Sequence, residues 1–262
     1  MQEKQVAILI DGDNISPKYA EYIRQEAANF GRIKIFRLYG SISSPSVKSW
    51  YRVMPKYGIA PVLQISYAQG KSIADQALTI DAMDILYGGE IDIICLVTSD
   101  SDFTKLAYRI KESGKILIGM GEQKTNESLA QACDEFKVLD LIYQVAADET
   151  QEGPEIDTEL EKDMEAELQE EDEAVDDPVT ISVPTEEEII ESILKMLEDD
   201  WENLAGIGMN LKKQIPGFDA RNYGYRSMTQ LIKSREDKFE LKFETGKDGI
   251  HSVVYAKKKA GE

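Results

Sequence analysis

A single histidine, His251, and two cysteines, Cys95 and Cys133, are all that 262 residues supply of the side chains most used in transition-metal sites. One histidine rules out acid–base catalysis by a histidine pair. Two cysteines without a Cys-x-x-Cys pair rule out a disulfide framework and a thiolate zinc site, and they fit a reducing compartment. Long apolar runs are also missing. The first, at 6–10, has five residues, too few for the core of a secretion signal, and nothing approaches the roughly 20 residues of a membrane span. A cytoplasmic address with no membrane partner is the expectation.

Positive charge is scarce, with 30 Lys and Arg against 49 Asp and Glu and a net charge of −19. The deficit is local. Residues 1–147 hold 16 basic against 18 acidic side chains, 148–177 hold 1 against 16, and 178–262 hold 13 against 15, so the segments carry −2, −15 and −2. The acidity of the middle segment therefore does not exclude a nucleic-acid partner for either flank. That segment has no aromatic residue between 148 and 182 and cannot bury a core, so it reads as a disordered or transiently helical linker, a solvated spacer before it is a nucleic-acid mimic. The division expected is a domain at 1–147, a linker at 148–183 and a small domain at 184–262.

The first part alternates strand-like and helix-like segments. Short β-branched runs at 6–10, 34–38, 61–65, 91–97 and 115–120 read as buried parallel strands. Helices are expected from the Ser16-Pro17 start signal to about Phe30 with a stop at Gly31, and over 72–87, 102–112 and 126–134. The fold class is α/β, a three-layer sandwich with a central parallel sheet. The second part begins at Thr185 and Glu188, which have capping-box spacing. Helices about 189–197, 208–215 and 225–234 and strands 238–244 and 250–256 around Gly246-Lys247-Asp248-Gly249 make a winged helix-turn-helix.

Acids fall where a parallel sheet would gather them. Asp11 and Asp13 follow the first strand, Asp100 and Asp102 follow the fourth, and Asp75 opens a helix. Ligands of such sheets bind at the carboxyl ends of the strands. Crowded carboxylates repel unless a cation neutralises them, and hard oxygen donors suit Mg²⁺ or Mn²⁺. Asp102 and Asp13 also have plain structural readings, as a helix cap and a turn brace. Asp75 is harder to set aside, because at 100° per residue it lies within about 60° of Leu78, Thr79, Ala82 and Leu86 on the sheet-facing stripe. Asp84, about 180° away, should face solvent, and Asp81, about 120° away, should flank the stripe. Lys48, Trp50, Tyr51, Arg52, Lys56 and Tyr57 interleave cations and rings as an RNA surface would, or as an amphipathic helix would. Lys71, four residues before Asp75, is placed to steer a phosphate, and His251 is expected to be an exposed wing residue.

Three strings now carry a resemblance. Val-Ala-Ile-Leu-Ile-Asp-Gly-Asp-Asn at 6–14, Gly70-Lys71-Ser72-Ile73-Ala74-Asp75 with its run through Asp81-Ala82, and Leu96-Val97-Thr98-Ser99-Asp100-Ser101-Asp102-Phe103 resemble the signatures of the NYN domain. The branch is the LabA-like one (DUF88) of the PIN-like nuclease superfamily, and the match covers about 4–143, including Ser128, Leu129 and Phe136 near its end. The resemblance implies Mg²⁺- or Mn²⁺-dependent RNA cleavage, with Asp11, Asp75 and Asp100 as the acidic core, Asp102 as a fourth acid and Asn14 in support. Thr98-Ser99 stands where many relatives have Ser-Gly. The stretch Trp201 to Gly208 and the string Phe218-Asp219-Ala220-Arg221-Asn222-Tyr223-Gly224-Tyr225 resemble the OST-HTH, or LOTUS, domain over about 184–258. That resemblance implies RNA binding through Arg221, Asn222, Tyr223, Tyr225, Arg226 and Lys233, or a protein partner, since some LOTUS domains bind helicases. Two rival readings stand beside the endonuclease: a non-catalytic RNA-binding regulator, and a haloacid-dehalogenase-like phosphohydrolase using Asp11.

Overall fold

The computed structural model describes residues 3–65, 73–149, 184–197, 201–215, 218–245 and 252–259. The chain divides into two units at 181/182. The expected linker at 148–183 lies almost wholly outside the described residues, as do Lys71, His251 and the turn at 246–249.

The first unit is built on strands β1 (Gln5–Asp11), β2 (Arg32–Ser41), β3 (Ala60–Gln64), β4 (Ile93–Val97), β5 (Ile116–Gly121) and β6 (Glu135–Val138). All pair in parallel, in the order β3-β2-β1-β4-β5-β6. Strand order reverses at β1, the central strand, so its carboxyl end beside β4 is the switch point where such sheets bind ligands. Helices α1 (Ala20–Ala28), α2 (Pro45–Ser49), α3 (Val53–Tyr57), α4 (Ile73–Gly88), α5 (Thr104–Glu112), α6 (Glu127–Ala132) and α7 (Leu139–Glu149) connect and cover the strands. One shared core joins Val6, Ile8 and Ile10 of β1 to Tyr19, Ile23, Trp50 and Leu139. Two glycines let strand ends close up at the switch point. A Cβ on Gly12 would stand 2.9 Å from the Tyr39 carbonyl oxygen, and one on Gly121 would stand 2.6 Å from that of Thr98.

Several expected elements shift. Ser16 does not cap a long helix; Pro17–Tyr19 form a 3-10 turn and α1 begins only at Ala20. A sixth strand and α7 were not expected. Strand β6 carries Lys137, which is buried and lies 3.4 Å from Glu26 of α1 and 2.8 Å from Glu135. A buried ammonium is tolerated only with such partners.

The second unit holds α8 (Glu186–Met196), β7 (Glu202–Asn203), α9 (Leu204–Gln214), α10 (Met228–Lys233), β8 (Phe239–Thr245) and β9 (Ser252–Lys258). The wing is an antiparallel sheet in the order β7-β9-β8, one strand more than the expected hairpin. Thr185 and Glu188 form the full capping box of α8. Helix α9 starts four residues before the expected 208, because Asn203 caps it by accepting from the Ala205 N–H at 2.9 Å. Helix α10 starts at Met228 instead of 225, with Ser227 as its cap. Ile189, Ile193, Leu204, Leu211, Leu231 and Phe239 meet in the core of this unit.

Candidate acidic edge of the sheet

The parallel pairing of Ile10 with Val97 delivers the next residues, Asp11 and Thr98, side by side at the carboxyl edge. Asp11 is only 2% exposed. Its Oδ2 accepts from the Thr98 hydroxyl at 2.7 Å and from the Asn14 amide at 2.8 Å. Burial pushes the Asp11 carboxyl up to about 6; the two hydrogen bonds oppose that rise, and the charges of Asp75 and Asp13 add to it. The charge of Asp75 is thus felt at Asp11.

Thr98 is a hinge between two acids. Besides donating to Asp11, its oxygen accepts from the Asp100 backbone N–H at 3.0 Å. Asp100 in turn accepts from the Asp102 N–H at 2.8 Å and so caps the 3-10 turn Ser101–Phe103. Capping thus falls to Asp100, leaving the Asp102 side chain exposed. Ser99 accepts from the Glu122 N–H at 2.9 Å and ties β4 to the loop after β5. Asp13 accepts from the Ser41 N–H at 3.1 Å, bracing β1 against β2. Asp75 and Asp102 share an open groove with Gln76, Thr79, Ile80 and Phe103.

A contact not read from the sequence secures the helix that presents Asp75. Asp81, six residues on, takes Arg37 Nη1 at 2.6 Å on each oxygen and the Tyr39 hydroxyl as a second donor. Both partners lie on β2, so α4 is locked to the sheet about 9 Å from Asp75 along its axis. The Tyr39 hydroxyl is pushed well up, first by burial and then by Asp81. Asp84 is exposed, as its phase predicts.

Among the described residues, no three Asp, Glu, His or Cys side chains are drawn tightly enough together to hold a metal ion. The Asp11 carboxylate is turned to Thr98 and Asn14, and one Asp100 oxygen caps the Ser101–Phe103 turn. The donor set is still hard oxygen around a buried, destabilised carboxylate, which fits Mg²⁺ or Mn²⁺ in kind.

The basic and aromatic stretch mostly packs. Trp50 is fully buried and donates to the Ile15 carbonyl at 3.0 Å, and Tyr57 donates to Glu21 at 3.2 Å beneath Lys56. Lys48, Tyr51 and Arg52 are exposed. In the second unit, Arg221 is gripped by Asp219 through Nε at 3.0 Å and Nη2 at 2.8 Å. Tyr223 stacks on Phe218 at 6.2 Å and Asn222 is half-buried beside it in sequence. The Tyr225 hydroxyl reaches Glu186 at 3.4 Å, and Arg235 pairs with the same carboxylate at 2.6 Å. Arg226 and Lys233 are exposed.

These units define a class first: a parallel α/β domain with an acidic carboxyl edge, joined in one chain to a winged helix. Residues 5–140 match the NYN domain and residues 182–251 match the OST-HTH/LOTUS domain. The chain belongs to the NYN-domain family of the PIN-like nuclease superfamily and carries an OST-HTH/LOTUS domain after it. It is 28% identical over 125 residues to the uncharacterized protein MJ0482 of Methanocaldococcus jannaschii, across 46% of this chain and 49% of that protein. The chain thus spans about half the length of this curated relative. A protein of unknown function, VPA0982 of Vibrio parahaemolyticus, superposes with a TM-score of 0.44 at 22% identity, over 52% of this chain and 94% of that one. An uncharacterized protein of Nitrosomonas europaea, from locus NE0665, superposes with a TM-score of 0.24 at 23% identity, over 35% and 92%. Among the described residues no helix is long and apolar enough to cross a membrane.

Proposed function

We propose that this protein is a cytoplasmic, metal-dependent RNA endonuclease in which the NYN domain cuts and the LOTUS domain holds the RNA. The observation that carries the reading is the buried Asp11 carboxylate, raised by burial and by the charge of Asp75, at the switch point of a PIN-like sheet. Asp11, Asp75, Asp100 and Asp102 would hold Mg²⁺ or Mn²⁺. Bound there, a divalent ion lowers the pKa of a water and neutralises charge on the scissile phosphate. The chain's own residues do the positioning. Thr98 and Asn14 fix the Asp11 carboxylate, Asp100 fixes the turn bearing Asp102, and the Arg37–Asp81–Tyr39 lock holds the helix that starts near Asp75. Lys71 would draw the phosphate in.

In the second unit, Arg226 and Lys233 are the exposed cations for RNA phosphates, while Arg221, Asn222, Tyr223 and Tyr225 shape the surface they stand on. Carrying both domains in one chain raises the local concentration of RNA at the cutting edge. The test is incubation of purified protein with labelled RNA, with Mn²⁺ or Mg²⁺ and with chelator.

One observation favours a second reading, a non-catalytic RNA binder: Asp11 and Asp100 are already engaged, by Thr98 and Asn14 and by the Asp102 N–H. RNA retained but uncut under every metal condition would establish it.

A further inference from the structure

The groove that opens at Asp75 and Asp102 lies between the start of α4 and the turn into α5, at the head of the furrow between two helices that meet again at Tyr87 and Arg109. Its mouth encloses about 300 Å³, the lower end of the range for small-ligand pockets. Ile80 stands in it 63% exposed, and seven residues on, on the same stripe of α4, Tyr87 is 68% exposed. Across from Tyr87 lies Arg109 of α5, its guanidinium 5.7 Å from the ring centroid and donating to the tyrosine hydroxyl. Asp102, in the turn that leads into α5, and Arg109, near the end of that helix, mark its two ends. Arg109 also meets Glu112 at 3.5 Å, an exposed contact of little strength that a phosphate can displace.

An exposed ring with a guanidinium on its face packs against no core here. It is the pairing that stacks a base and meets a phosphate. We propose that this furrow is the path of single-stranded RNA. The base next to the cut lies against Ile80 and Phe103, the Gln76 amide reads its edge, and the strand runs on to the Tyr87–Arg109 platform. The substrate class, an unpaired RNA stretch, rests on the nuclease reading of the acidic edge. From Asp75 to Tyr87 is about 18 Å along the helix, which a strand stacked at about 3.4 Å per nucleotide covers in about five.

The test separates path from chemistry. Full-length protein carrying Asp100→Asn is irradiated with 4-thiouridine-substituted single-stranded RNA and the adducts are mapped by mass spectrometry. Adducts are expected on residues of 76–87 and 103–109. In parallel, Tyr87→Ala, at an exposed position, should raise KM for an unpaired ten-nucleotide RNA about tenfold, with kcat held within twofold. A three-nucleotide substrate, too short to reach the platform, should not respond, and Tyr87→Phe should retain the wild-type KM for the long strand. Adducts absent from both helices, or an unchanged long-strand KM in Tyr87→Ala, would overturn the path. So would loss of self-association in that variant by light scattering, which would assign the face to a second copy. Adducts on α4 and α5 with no cleavage by the wild type would keep the path and discard the nuclease.

Discussion

Replacing Asp11 by Asn should make the metal-free protein more stable. The carboxyl is 2% exposed and its pKa is raised from 3.8 to about 6, so holding it ionised at neutral pH costs about 3 kcal/mol relative to the unfolded chain. Asn keeps one acceptor for Thr98 or Asn14 and loses the charge-assisted character of both bonds, which offsets about 1 kcal/mol or more. The net expectation at pH 7.5 is a gain of about 1–2 kcal/mol. The sign with pH follows from the raised value. The penalty is fully present above about pH 6, shrinks as pH falls through 6, and is gone below about 4. The advantage of Asp11→Asn should therefore be largest near pH 7–8 and fade toward pH 4–5. Urea unfolding in chelator checks this, in a Trp201→Phe background so that fluorescence reports Trp50, buried in the same unit as Asp11. A variant less stable than the parent at pH 7.5, or an advantage that does not shrink with falling pH, would refute the reasoning.

Other expectations follow from the same contacts. Adding Mn²⁺ should raise the melting temperature of the wild type and leave that of Asp11→Asn nearly unmoved, as read by calorimetry. Lys137→Met should cost about 3–5 kcal/mol in urea unfolding, because it strands Glu26 and Glu135 without their buried cation. Asp81→Ala should lower cleavage through the lost lock on α4 and also destabilise the first unit by about 1–3 kcal/mol, separable by assaying well below the melting temperature. Arg226→Glu with Lys233→Glu should weaken RNA binding and flatten its salt dependence, as measured by anisotropy, while cleavage at saturating RNA survives.

Strands β1 to β5 and helices α1, α4, α5 and α6 were legible from β-branched runs bounded by Gly, Pro and capping residues, whereas the short helices α2 and α3 between β2 and β3 were not. Strand β6 was not, since Glu135 and Lys137 break its pattern, and Lys137 is buried only by virtue of Glu26, over a hundred residues earlier. Helix α9 was read late because Gly206 and Gly208 lower helix propensity, and the Asn203 cap outweighs them. At the acidic edge, helical phase placed Asp84 toward solvent, where it is exposed. It could not find the Asp81 lock, whose partners Arg37 and Tyr39 come from another strand, nor foresee that Asp219 holds Arg221.

The central claim is tested most directly by incubating labelled, unpaired RNA with the full-length protein in Mn²⁺, beside Asp100→Asn and beside chelator. Internal cuts that need the metal and vanish in Asp100→Asn, with RNA binding retained, are the predicted result. RNA bound equally by both proteins and left intact in every metal condition would contradict the account.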